Sequence, residues 1–279
     1  MTHPFQAPRH QPGRGVHALR LAALAGALLA ASAAQAVVST TALPEPDGSF
    51  HDSSISYGNT GLVFELLPRL YVQGLGSADT DALTVAGRNP ALQYGFTVNG
   101  DGSSLMTIEY SLRNTSAVES FSQLRFMLFA NPDGGANFMD TVQETWGAAL
   151  PGDPARREGR APSATDGILS RIALGNSLSE LPPALDAACT GAGCDAQVAL
   201  QWDTALLGPG QTMRVRVGLS DDGQTLSGRF LRIQSASDAG TALTLSGNVA
   251  AVPEPGSLAL MLAGLLGLGF LAQRRRQAD

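Results

Sequence analysis

The chain has 279 residues and a formal net charge of −6 at pH 7, and all 18 of its basic residues are arginine. Because it has no lysine, it cannot form a lysine Schiff base, a Ser-Lys dyad or a lysine–asparagine isopeptide crosslink. Six arginines lie near the two ends and two of the 24 acidic residues lie in the tail, so residues 37–251 carry 12 arginines and 22 acids. This acidic body argues against nucleic acid and anionic lipid headgroups as partners.

The first 36 residues have the pattern of a secretory signal peptide. An arginine-containing region without acids precedes an apolar run over 21–31, and Ala34-Gln35-Ala36 is a small-x-small cleavage site. Cleavage by signal peptidase would make Val37 the first residue of the mature chain. The early region has no adjacent arginine pair, which favours the general secretion machinery over the twin-arginine route. The alternative is a second membrane helix, for which the run is short.

The body, residues 37–251, has the pattern of many short strands. Apolar and polar residues alternate over 106–112, 198–202 and 213–219, which predicts strands with one wet face. The segment LRFMLF at 124–129 is apolar on both faces and predicts a central strand. Further strand candidates lie at 62–67, 70–72, 92–98, 168–173, 230–233 and 243–245.

Turn residues separate these strand candidates. Asn99-Gly100-Asp101-Gly102 predicts a hairpin between two of them, and a Pro/Gly/Arg-rich stretch at 148–166 predicts a mobile loop. The pattern as a whole predicts a mainly β protein with an antiparallel β-sandwich. The segment LGPGQ at 207–211, followed by a strand, resembles the turn before a strand in immunoglobulin-like modules. The sandwich is therefore expected to be immunoglobulin-like in general shape, although the Cys…Trp…Cys pattern of true immunoglobulin domains is absent.

Cys189 and Cys194 are the two cysteines of the chain, and they flank Thr-Gly-Ala-Gly. An exported chain enters an oxidising compartment, so the pair predicts a disulfide that closes a short loop. Such a bond would contribute about 2 kcal/mol in the loop-entropy model. Two free thiols, or half of a metal site, are the alternatives.

The body offers few residues for catalysis. His51 is its one histidine, because the other three lie in the signal peptide, so a zinc site built on several histidines is excluded. A Ser-His-Asp triad would have to use His51, which sits in a polar stretch without a nucleophile motif. We predict no catalytic residues and no required cofactor. A carboxylate-dependent hydrolase is the remaining enzymatic alternative, because 22 acids are available but no spacing points to a catalytic pair.

Two weak ligand sites emerge from the body. Asp133 and Asp140 lie in a loop with Asn131 and Asn137, and carboxylate and amide oxygens are ligands that Ca²⁺ prefers. The same residue types are also common in β-turns, and no established calcium motif is present. Trp146 follows this loop and is the best candidate for an exposed aromatic platform that stacks on a sugar.

The tail, residues 252–279, combines three features. Pro253-Glu254-Pro255 comes first and is expected to be extended, because proline prevents helix formation. An uncharged, leucine-rich run over 256–272 follows, and as a helix it would span about 25 Å, close to the thickness of a bilayer core. Arg274, Arg275 and Arg276 would remain cytoplasmic by the positive-inside rule. The alternative is a buried core helix, which the lack of a polar face disfavours.

This order of features resembles the PEP-CTERM sorting signal. The resemblance covers about the last 28 residues and implies processing by an exosortase, a transpeptidase-like membrane enzyme of Gram-negative bacteria that make extracellular polysaccharide. Cleavage near Pro253-Glu254-Pro255 would make the inner-membrane anchor transient. The body also resembles the β-sandwich bodies that carry such tails, for which the resemblance implies no activity.

The sequence therefore predicts an exported, non-enzymatic protein of the cell surface or extracellular matrix. Its expected partners are signal peptidase, the secretion machinery, an exosortase and, in the matrix, polysaccharide. A carbohydrate- or calcium-binding surface module is the alternative function.

Overall fold

The computed structural model describes residues 37–76, 81–135, 139–161, 167–180, 193–252 and 263–266. The strands of the body are β1 (Ser39–Thr40), β2 (Phe50–Tyr57), β3 (Gly61–Tyr71), β4 (Leu92–Asn99), β5 (Leu105–Asn114), β6 (Phe121–Asp133), β7 (Asp140–Thr145), β8 (Arg156–Arg160), β9 (Gln197–Leu207), β10 (Thr212–Ser220), β11 (Phe230–Ser235) and β12 (Ala242–Val252). Two short helices accompany them, α1 (Ala82–Gly87) and α2 (Ile168–Ala173).

The strands form two six-stranded antiparallel sheets. The first sheet has the order β1-β2-β3-β6-β9-β8, and the second has the order β4-β5-β10-β12-β11-β7. The predicted mainly β, sandwich-like architecture is therefore confirmed. The likeness to immunoglobulin domains goes no further than this architecture, because those domains use seven or nine strands and these two sheets have twelve.

Aromatic side chains join the two sheets in the core. Tyr110 of β5 packs against Phe126 of β6, with ring centres 5.0 Å apart, and Phe126 lies 6.3 Å from Trp202 of β9. The Trp202 indole N–H donates across the core to the Gly247 carbonyl of β12 at 3.4 Å. All three rings are buried, so burial of their large apolar surfaces stabilises the contact between the sheets.

Period-2 alternation located several strands correctly. The turn at 99–102 connects β4 to β5, which pair in register from Leu92↔Asn114 to Asn99↔Thr107. The predicted central strand is β6, which pairs with β3 on one side and β9 on the other. Residues 213–219 lie in β10, between β5 and β12.

The prediction of a strand at 168–173 was wrong, because these residues form helix α2. Ile168 and Ile172 are four residues apart and both are buried, so a helix places them on one face. They pack in a second, smaller core on the outer side of the first sheet, together with Leu67, Met127, Phe129, Leu178 and Ala199. This six-residue run is too short for its hydrophobic periodicity to distinguish a helix from a strand. Packing against the outer surface of the first sheet therefore decides its conformation.

The two strands predicted at 62–67 and 70–72 form one strand, β3. Pro68 lies inside it and faces Leu128 of β6. Pairing between β3 and β2 ends at Phe50↔Leu66, so β2 does not extend to the level of Pro68 and needs no N–H donor from it. Strand β3 therefore tolerates a proline at this position.

The loop predicted at 148–166 contains strand β8, which pairs with β9 from Arg156↔Gln201 to Arg160↔Gln197. Arg157 of this strand is buried and forms an ion pair with Glu144. The body also extends to residue 252, the last residue of β12.

The signal peptide, residues 1–36, lies outside the described residues. Of the helix predicted at 256–272, only residues 263–266 are described, and they are helical. Among the described residues, no helix is both long enough and apolar enough to cross a membrane, so the transmembrane helix stays a prediction.

Candidate functional site

Strand β12 connects the sandwich directly to the tail. Its pairing with β10 continues from Ser220↔Thr244 to Thr212↔Val252. On its other side, β11 pairs with residues 242–246, and the Val249 N–H farther along donates to the Gly152 carbonyl at 2.8 Å. Val252 is thus held in a central strand, and Pro253 is the next residue. Pro253, Glu254, Pro255 and Arg274–Arg276 lie outside the described residues.

The same end of the molecule is closed by Asn114, which is fully buried at the end of β5. Its side-chain amide donates to the carbonyls of Glu119 at 2.8 Å, Leu207 at 3.2 Å and Gly208 at 2.9 Å. Its side-chain oxygen accepts from the Ser116 N–H at 3.0 Å. One amide therefore fastens β5 of the second sheet to the end of β9 in the first, beside the strand end that leads to the tail.

The predicted calcium ligands Asp133 and Asp140 lie close together at the other end, where β6 ends and β7 begins. Asp140 is fully buried; its Oδ1 accepts from the Gly134 N–H at 2.9 Å, and its Oδ2 has no hydrogen-bond partner. Burial and the nearby charges of Asp133 and Asp195 raise the pKa of Asp140 to about 7. Burial, opposed by a Gly135 N–H, also raises the pKa of Asp133.

Tyr57 completes this acidic cluster. Its ring is buried and its hydroxyl has no hydrogen-bond partner, while burial and the charges of Asp140 and Asp133 raise its pKa. Within the described ranges, no three acidic, histidine or cysteine side chains are arranged to hold a metal ion. The calcium site stays a prediction. Tyr57 and Asp195 carry no sequence signal that connects them to Asp133 and Asp140.

Trp146 is half-buried and does not present an open ring. The guanidinium carbons of Arg157 and Arg229 lie 4.7 Å and 5.0 Å from its ring centre. Arg157 is held by two hydrogen bonds to Glu144, at 2.7 Å and 3.0 Å, and by a third to the Glu180 carbonyl. A sugar that stacked on this ring would have to compete with two cations already in contact with it. Sugar binding at Trp146 stays a prediction.

A polar cleft of about 330 Å³ lies beside the first sheet, and Trp146 is not among its lining residues. Its lining residues are Gln123, Leu124, Arg125, Arg156, Ser177, Asp203, Thr204 and Ala205. Arg125 is fixed there by a hydrogen bond to the Gly175 carbonyl at 2.5 Å and by its position over the Tyr71 ring. Gln123 adopts a positive φ of 49°, which is unfavourable for a residue with a side chain. The cleft was not identifiable from sequence, because its lining comes from four separate segments.

His51 lies in β2 and not in a loop. Its Nε2 is 2.9 Å from Ser49 Oγ, and Ser49 donates its hydroxyl proton to Asp47 Oδ1 at 2.6 Å. The order is therefore acid, serine, histidine. In a catalytic triad the histidine lies between the serine and the acid, so this serine is not activated as a nucleophile.

Of the two cysteines, only Cys194 lies within the described residues. It is buried and exchanges two backbone hydrogen bonds with Asp140, at 2.7 Å and 2.9 Å. The disulfide with Cys189 stays a prediction.

Comparison with protein families identifies the tail. Residues 251–276 match the PEP-CTERM protein-sorting motif. Searches of the curated proteins and of the solved structures returned no match for the chain. The motif confirms the predicted sorting signal and marks the chain as an exported protein that an exosortase sorts. The match includes the last two residues of β12, so the sorting motif and the sandwich overlap.

Proposed function

We propose that this chain, with its PEP-CTERM motif, is a non-enzymatic protein of the surface or extracellular polysaccharide matrix of a Gram-negative bacterium. The secretion machinery exports it, signal peptidase removes residues 1–36, and the tail anchors it transiently in the inner membrane. An exosortase then cleaves near Pro253-Glu254-Pro255 and releases the sandwich for delivery. The observation that carries this proposal is the match at 251–276, which places the sorting motif at the end of a central strand.

The chemistry of the body supports a non-enzymatic role. Its lack of lysine removes one class of nucleophile and its single histidine is hydrogen-bonded to Ser49, whose proton is directed to Asp47. Among the described residues, the carboxyl group with the largest pKa shift is Asp140, which is fully buried and so cannot contact a polysaccharide.

Mass spectrometry of the protein from its native host tests the processing. We expect surface material that lacks Arg274–Arg276 and retains every residue through Val252, because cleavage within β12 would remove central strand pairing. A strain without the exosortase is the control and should accumulate the membrane-anchored chain. Surface material that retains an intact C-terminal peptide would contradict the proposal.

The predicted disulfide between Cys189 and Cys194 is part of this proposal, because the mature chain would fold outside the cytoplasm. The exported protein, unfolded in an alkylating reagent without reductant, should remain unmodified and should take up two alkyl groups after reduction. Two alkyl groups added without reductant would show that the thiols are free.

Carbohydrate binding is a second candidate function, favoured by the polar cleft at Arg125, Arg156 and Asp203. Arginine and carboxylate groups in a groove can hydrogen-bond sugar hydroxyls and acidic substituents. Binding to the host's own extracellular polysaccharide should fall at least tenfold on Arg156→Gln. Arg214→Gln is the matched control, since Arg214 is also exposed and forms one surface ion pair, on the other sheet. Equal affinities of the two variants would remove the cleft from consideration.

A further inference from the structure

The first residues after the predicted cleavage site are fixed to the sandwich. Val38 is fully buried; its N–H donates to the Ser103 carbonyl at 2.7 Å, and its carbonyl accepts from the Gly102 N–H at 2.9 Å. The Thr40 N–H donates to Asp101 Oδ1 at 2.8 Å. The backbone is therefore anchored from Val38 onward, which also fixes where the nitrogen of Val37 can lie.

Asp221 presents its carboxylate at this position. Its Oδ2 accepts a hydrogen bond from the Gly58 N–H at 3.1 Å. Gly58 can point its N–H at this oxygen because, as a glycine, it readily adopts a φ of +56°. The backbone N–H of Val37 acts on the same carboxylate and lowers its pKa, although burial raises that pKa overall. Asp221 Oδ1 is buried and has no hydrogen-bond partner. A buried carboxylate oxygen without a donor is costly, so its environment is incomplete in the precursor.

Asp222, the neighbouring acid, does not direct its carboxylate toward Val37. Asp222 is the other charged group that acts on Asp221, but its oxygens accept from the Ser220 hydroxyl at 2.7 Å and from the Gln224 side chain at 2.8 Å. Asp222 is therefore directed toward its own turn, and Asp221 is the acid available to Val37.

We propose that Asp221 is the binding site for the α-ammonium group that signal-peptide removal creates on Val37. Hydrolysis breaks the Ala36–Val37 bond; water supplies a hydroxyl to the Ala36 carbonyl carbon and a proton to the Val37 nitrogen. That nitrogen takes up a second proton at neutral pH. A single N–H donor thus becomes a cation with three donors, which can reach the unpartnered oxygen of Asp221 as well.

This inference rests on the proposed export and on cleavage between Ala36 and Val37. Its consequence is that processing completes the structure. The amide of the precursor supplies one donor and no charge, whereas the mature terminus supplies a charge-assisted bond to a carboxylate that burial otherwise destabilises. The mature chain should therefore hold β1 more firmly than the precursor does.

The lack of lysine gives a direct experiment, because the α-amino group is the one primary amine of the mature chain. Mature protein secreted by the host is labelled with trace acetic anhydride across a pH series, and the acetylated N-terminal peptide is quantified by mass spectrometry. The pH dependence of this reaction gives the pKa of the amine. We expect a value at least one unit above the ordinary 7.7–8.0 of an α-amino group. The same protein in denaturant should give the ordinary value.

The variant Asp221→Asn should return the pKa of the folded amine to its ordinary range, and Asp222→Asn should leave it raised. If Asp221→Asn does not fold, the test still stands, because it then compares the pKa of the amine in the folded and the denatured natural protein. An ordinary pKa on a chain that begins at Val37 would overturn the proposal and leave export intact. A mature chain that begins at another residue would overturn both the proposal and the predicted cleavage site.

Discussion

Asp140 is a buried carboxyl group whose proton affinity depends on folding. Its pKa is about 7 in the folded chain and about 3.9 in an unfolded one. Between these values the folded chain retains a proton that the unfolded chain releases. This group therefore favours folding below about pH 4, and its contribution is lost as the pH rises to about 7.

We predict that Asp140→Asn changes this pH dependence. The difference in unfolding free energy between the natural protein and the variant should fall by on the order of 3 kcal/mol between pH 4 and pH 8, since one pKa unit corresponds to about 1.4 kcal/mol. Urea unfolding at the two pH values measures it. A constant difference would show that Asp140 is ionised throughout.

Calcium is tested with the same pair of proteins. The melting temperature should not change on addition of calcium or of a chelator, because Asp140 Oδ1 is bonded to Gly134 and Oδ2 is enclosed. A rise with calcium that disappears in Asp140→Asn would instead support the calcium site at Asp133 and Asp140.

Gly247 illustrates how one missing side chain permits close packing. A Cβ at this position would lie 2.7 Å from the Trp202 ring and 2.6 Å from the Arg216 carbonyl. Gly247→Ala should lower the unfolding free energy by about 1–3 kcal/mol, the usual cost of overpacking. Gly95→Ala is the control, because its Cβ would meet nothing nearer than 3.6 Å. Equal stabilities in urea unfolding would contradict this packing.

At the scale of elements, Asn114 joins β5 to the end of β9. In Asn114→Asp the amide donor is replaced by an acceptor, which leaves three carbonyls without their partner and places a negative charge beside them. We expect a loss of at least about 3 kcal/mol in urea unfolding, since each unsatisfied buried group costs about 1–3 kcal/mol. Asn99→Asp, an exposed residue at the end of β4, should be nearly neutral. A small loss for Asn114→Asp would mean that the sheets do not depend on this amide.

The strands were predictable where apolar and polar residues alternate along the sequence. This holds for residues 106–112 of β5 and 213–219 of β10. It fails for Ile168–Ala173, where a short apolar run fits either a strand or a helix, and the packing partner decides. It also fails for Arg156–Arg160, whose charges are paired in three dimensions with Glu144, Glu158 and Glu180.

The sorting motif was predictable because all its features are local in sequence. The other sites are not local: Asp221 meets Val37 and Gly58, and Asp140 meets Tyr57, only after the sheets have formed. Neither residue type nor spacing records such contacts. The sequence therefore predicts the sorting of the protein far better than it predicts which side chains of the body meet.

At the scale of the whole molecule, the sandwich lies immediately next to the sorting motif. Val252 is paired with Thr212, so no linker separates β12 from Pro253. Insertion of six Gly/Ser residues between Val252 and Pro253 should speed exosortase processing, because the motif would be less hindered by the body. Pulse-chase immunoblotting measures the half-life of the precursor. The same insertion after Gly223, in an exposed turn, is the control; equal half-lives for both would show that the body does not hinder cleavage.

The two ends of the mature body lie at opposite ends of the sandwich. Val38 pairs with Ser103 beside the β4–β5 turn, whereas Val252 pairs with Thr212 at the far end of β10. The nine residues of β10 span about 30 Å at about 3.4 Å per residue. A folded body anchored by its tail and standing upright would hold the Ala36–Val37 bond well away from the bilayer. Under the proposed processing, signal peptidase would therefore have to act before β1 is in place or while the body lies flat.

Strand β12 also links folding of the body to the proposed export. It is the last strand of the body in the chain, and it lies between β10 and β11 as their shared neighbour. If the chain crosses the membrane from its N-terminus, as proposed, the second sheet would close only after β12 has crossed. Folding of the body would then be completed as the sorting motif reaches the membrane, so the exosortase would receive a newly folded body.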